Sequence, residues 1–182
     1  MTSAAIAQLV AVIIGGLLAT MGGFVSTVLV AHHQRAVTSR SLALAFKGEI
    51  SALLAHIEER RYARRFEEVI AQIESTGQPF LMPFRIRFAY DRVYQENVQQ
   101  IGLLRGRLPA LIPAFYIRLT GMVDDLSSMG DGTYSALGPD IVLRLYKDLH
   151  DILDKTVAQG GEIIAEIDAQ YGTQTVDPGL NG

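Results

Sequence analysis

Four histidines and three carboxylate pairs are the side chains of this chain whose types suit metal binding or proton transfer. His32 and His33 are adjacent, so on a helix they point about 100 degrees apart and cannot grip one ion as an i, i+4 pair can. His56 stands beside Leu53, Leu54 and Ile57, and His150 beside Leu149 and Asp151. Two such residues can meet across a bundle, but each reads first as a boundary residue with one ring nitrogen satisfied. The pairs Glu58-Glu59, Glu67-Glu68 and Asp124-Asp125 have the spacing of solvated carboxylates facing nearby arginines, and none belongs to a HExxH motif. With no cysteine there is no thiol nucleophile, thiolate metal site or disulfide. Gly15-Gly16 and Gly22-Gly23 lack the following Lys-Ser or Lys-Thr of a phosphate loop, and no GxSxG elbow occurs. The expectation is a protein without a catalytic residue, cofactor or metal.

The element that carries the glycine pairs explains them differently. Residues 4–31, AAIAQLVAVIIGGLLATMGGFVSTVLVA, contain no charged side chain. At about 1.5 Å per helical residue such a run spans roughly 42 Å, against a bilayer hydrocarbon core of about 30 Å. The sequence therefore predicts a membrane-spanning helix. A small residue recurs every fourth position, at Ala7, Ala11, Gly15, Ala19, Gly23, Thr27 and Ala31. Lipid tails are as apolar as leucine, so small residues there gain nothing from burial alone; they allow another helix to approach backbone to backbone. Ile6, Leu9, Val10, Ile13, Leu17, Phe24, Val28 and Leu29 make the opposite face bulky and suited to lipid. Haem or pigment bound at membrane depth usually needs a histidine there, and the run has none.

Charge sets the orientation. The first 34 residues carry no Lys or Arg, and Arg35, Arg40 and Lys47 follow, so the positive-inside rule places the N-terminus outside and the rest in the cytoplasm. A cleaved signal would need a basic n-region and a shorter apolar core. The net charge of −3 gives no reason to expect nucleic acid as a partner. It conceals a basic stretch, residues 1–123 at +5, and an acidic one, residues 124–182 at −8. Arg60, Arg61, Arg64 and Arg65 form the densest basic group and a second candidate contact surface.

Beyond the anchor the pattern is helical throughout. No proline lies between Arg35 and Thr76, and Phe46, Ile50, Leu53, Leu54 and Ile57, then Phe66, Val69, Ile70 and Ile73, recur at three- and four-residue steps, which predicts one long helix ending at Gly77. TGQPFLMPF reads as a loop, 85–105 as a second helix, 108–128 as a third despite Pro113, and SSMGDGTYSALG as a turn-rich connection. The last helix starts near Pro139, follows a seam of Val142, Leu145, Leu149, Ile152, Thr156, Gly160, Ile163 and Ile167, and stops at Gly172. No segment alternates with the period of a strand. The expected fold is all-α: an anchor over 1–34, an antiparallel cytoplasmic bundle of about four helices over 35–172, and a loose tail over 173–182.

Tyr94, Asn97, the run Ile101-Gly102-Leu103-Leu104 and the pair Phe115-Tyr116 resemble a pattern of uncharacterised bacterial single-pass membrane proteins with a small helical cytoplasmic domain. The resemblance covers about 25 residues and implies a bacterial inner membrane and a similar architecture, with no activity attached. Together these readings predict an accessory or assembly subunit that contacts membrane lipid and docks its small-residue ridge on other membrane subunits or on itself. An anchored enzyme or sensor using a groove in the bundle is the remaining expectation.

Overall fold

In the computed structural model the described residues are 3–82, 90–130, 134 and 136–172, with side chains described from residue 29 onward. Every regular element among them is helical: α1 Ser3–Glu59, α2 Tyr62–Thr76, α3 Arg92–Asn97 followed by a 3-10 turn Val98–Leu103, α4 Leu108–Gly130 and α5 Pro139–Tyr171. The chain forms two compact units, Met1–Arg40 and Ser41–Gly182. In the first, Leu29, Val30 and Val37 are exposed. Among the described residues no helix is long and apolar enough to cross a membrane. The charge-free run at 4–31 lies within α1 but, as far as residue 28, outside the described side chains.

The second unit is an all-α bundle built on α5, which packs against α2 and α4. α1 contributes Leu42, Ala43, Phe46, Ile50 and Leu53, buried on one face at helical spacing. Ile112, Phe115, Leu119, Met122 and Leu126 do the same for α4, and Phe66, Val69 and Ile73 for α2. On α5 the seam is buried as spaced, except that Leu145 and Ile152 are only partly covered. Partners run in opposite order along α4 and α5: Arg107 meets Glu162 while Arg118 bonds Gln159. Lys47 with Asp168, and Leu54 against Gly160, show the same antiparallel order for α1 and α5.

At Gly160 this packing is close. A Cβ placed there would lie 3.0 Å from Leu54 Cδ2 and 3.2 Å from Phe115 Cε2, so the glycine lets α5 approach α1 and α4 closely.

Two expected helices are divided. The single helix predicted up to Thr76 breaks at Arg60-Arg61, where Arg61 takes the left-handed conformation (φ 52°, ψ 44°) without being glycine. Such a backbone costs on the order of 1–2 kcal/mol. The break re-aims the chain without turning it back, since α1 and α2 both run antiparallel to α5, and it brings Phe66, Val69 and Ile73 onto the core, a burial that offsets the strain. α2 then ends as predicted at Gly77, left-handed at φ 63°, whose N–H bonds Ile73 O at 2.9 Å. Of the helix expected over 85–105, only Arg92–Asn97 is α-helical among the described residues. There the Asn97 amide donates to Val93 O at 2.9 Å and the chain tightens into the 3-10 turn. α4 runs two residues past its predicted end, to Gly130, and within it Ser127 and Ser128 donate their hydroxyls to Val123 O and Asp124 O. The tail from 173 lies outside the described residues.

Neighbouring glycines separate packing from propensity. Gly160→Leu should lower the folding stability of the full chain by about 1–3 kcal/mol through overpacking. Gly161→Ala, with open space around the new methyl, should raise it by roughly 0.5–1 kcal/mol. Thermal unfolding in mild detergent reads both, and equal effects would contradict the close approach at Gly160.

Candidate functional site

The residues first considered for chemistry are dispersed. His32 and His33 are exposed. His56 borders an apolar cavity walled by Leu53, Ile57, Phe66 and Met122, its ring 6.4 Å from that of Tyr62. His150 lies edge-on to Phe66 at 6.5 Å, its Nε2 3.7 Å from a Glu67 oxygen and its Nδ1 3.8 Å from an Asp154 oxygen. The two carboxylates face opposite nitrogens of one ring, so they cannot join it around a single ion. No cluster of three His, Cys, Asp or Glu able to hold a metal occurs among the described residues.

The most connected polar group escaped the sequence reading. Glu49 of α1 accepts the hydroxyl of Tyr116 of α4 and the backbone N–H of Val93, the latter at 2.7 Å. Tyr94 stacks on Tyr116 with ring centroids 4.4 Å apart, and Tyr116 is almost wholly buried. Burial above all, then the hydrogen bond and negative charge of Glu49, pushes the Tyr116 hydroxyl well above the usual phenol range. Two further tyrosines hold loops by accepting backbone hydrogens: Tyr146 from Met82 at 2.9 Å, and Tyr171 from Arg105 at 2.8 Å. Burial also raises the Tyr146 pKa, while the bond from Met82 opposes it. The one signal in the sequence was a glutamate flanked by the buried positions Phe46, Ile50 and Leu53. These contacts fasten the bundle; none presents a nucleophile and base to an open cleft.

The arginines do come together. Arg60 and Arg61 at the break between α1 and α2 and Arg64 and Arg65 at the start of α2 line one shallow groove with Glu59 and Glu68, and all four are exposed. Arg64 Nε bonds Glu68 at 3.0 Å. Among the described residues Arg60, Arg61 and Arg65 have no ion-pair partner. On the small-residue ridge Ala31 is exposed, whereas Ala7, Ala11, Gly15, Ala19, Gly23 and Thr27 fall outside the described side chains.

The chain matches no family model, no curated protein and no solved structure.

Tyr116 gives stability an alkaline limit. Its folded-state pKa is raised above the ordinary value of 10.0. Its contribution is therefore complete below that pH and declines as pH rises, by about 1.4 kcal/mol per unit once the unfolded phenol ionises. Unfolding midpoints should fall between about pH 10 and 11.5, and Tyr116→Phe should flatten that slope while costing roughly 1–3 kcal/mol at pH 7 through the donor Glu49 loses. An identical slope in the variant would contradict the assignment.

Proposed function

We propose that this chain is a non-catalytic, single-pass protein of a bacterial inner membrane, with its N-terminus outside and its helical bundle in the cytoplasm, serving as an accessory or assembly subunit of a larger membrane complex. One observation carries the reading: the charge-free run at 4–31 whose small residues recur every fourth position from Ala7 to Ala31. The onset of basic residues at Arg35 supports the orientation. The bundle supports a structural role, since its polar contacts are spent on fastening helices and loops. The ridge docks on a neighbouring subunit's helix, and the bundle covers or positions that subunit from the cytoplasmic side.

Membranes solubilised in a mild detergent and resolved by native electrophoresis with mass spectrometry test this. The wild-type chain is expected well above its 19.9 kDa mass together with other polypeptides. Gly15→Leu with Gly23→Leu should release those partners while leaving the chain in the membrane. A large species containing this chain alone would replace the heteromeric reading by self-association, and a partner set unchanged by the two leucines would remove the ridge from the account.

A further inference from the structure

The four arginines at the break between α1 and α2 are arranged against the interest of the bundle itself. Arg60, Arg61, Arg64 and Arg65 line one groove, which gathers four like charges at a single break between helices. Among the described residues only Arg64 is answered, by Glu68, and Glu59 is the one other acid lining the groove. The turn that gathers them holds Arg61 in the left-handed region. Local rules broken together on a surface, with no compensating contact inside the fold, mark a place where the compensation comes from outside.

The lining narrows what that is. The groove's walls are charged side chains only, with no apolar residue. A protein interface normally centres on buried apolar or aromatic anchors, and a single-stranded nucleic acid needs aromatic faces for its bases. Neither is present here. An acidic peptide would have to be ordered on charge contacts alone, whereas a compact anion of high charge density loses little freedom. Guanidinium forks present paired donors that match phosphate oxygens two at a time.

We propose that the groove of Arg60, Arg61, Arg64 and Arg65 is a binding site for a compact anion carrying two or more phosphate groups, either free in solution or displayed as a lipid headgroup. The three unanswered guanidiniums hold the phosphates, and Arg64, braced by Glu68, closes one side. The site is independent of any docking by the 4–31 ridge, so failure of one leaves the other standing.

The test uses the full chain in an uncharged detergent and follows the arginine Nε–H signals by NMR. One arm adds inorganic tripolyphosphate and the other dopes the micelles with cardiolipin, whose headgroup displays two phosphates. Saturable shifts at Arg60 and Arg65 with tripolyphosphate assign a free anion, and shifts only with doped micelles assign a headgroup. Either supports the site provided that Arg60→Gln with Arg65→Gln weakens binding by about tenfold or more. Arg60→Lys with Arg65→Lys, which keeps charge but loses the fork, should fall between. Arg92→Gln, an exposed arginine elsewhere paired with Glu96, should change nothing. No saturable shift in either arm, equal binding of citrate, or a glutamine double variant that binds like wild type would overturn the proposal.

Discussion

The buried face of α1 between Leu42 and Leu53 is the constraint on which the rest of the bundle depends. α4 reaches α1 through Tyr116, α5 through Gly160 and Asp168, and α3 through the Val93 N–H. Glu49 lies at the centre of this. A carboxylate drawn partly into a core is costly unless donors surround it, and the two it finds come from two different elements. Correct docking of α3 and α4 is therefore a condition for accommodating that charge, so one polar contact fixes how three elements meet. The exposed ion pairs at Arg64, Arg92 and Lys155 add little by comparison, since solvent screens them.

The tyrosines extend the same logic to the connections. Tyr146 and Tyr171 stand on the buried seam of α5, and each accepts a backbone hydrogen from a stretch that no regular element satisfies. The bundle is thus fastened at two of its connections as well as in its core. The same helix break that brings α2 onto the core also gathers four exposed guanidiniums. Fold and surface are thus coupled at Arg61: the left-handed residue that permits the break also lies among the exposed charges.

Much of this was legible beforehand. α4 and α5 were readable because their apolar periods are long and their ends punctuated, Pro139 opening α5 and Gly172 closing it. The division of α1 from α2 was not, because neither glycine nor proline marks it; a run of charged residues is as compatible with a solvated helix face as with a turn. Glu49 was invisible for another reason: spacing shows that a residue flanks a buried face, but not which distant tyrosine and backbone amide it will meet. The arginines were legible as an exposed basic group. That most of them stay unanswered was not, since the interleaved Glu58, Glu59, Glu67 and Glu68 suggested neutralisation that the helix geometry grants only to Arg64.

The proposed role requires the apolar start of α1 to lie in a bilayer. Because the chain has no native cysteine, single cysteines introduced along α1 can be titrated in intact membranes with a water-soluble maleimide. Leu9→Cys, Ile13→Cys and Leu17→Cys should be protected until detergent is added, and Gly48→Cys and Ala52→Cys should label readily once the cytoplasmic side is opened. Labelling of Leu17→Cys in the opened membranes as fast as Gly48→Cys would contradict that placement.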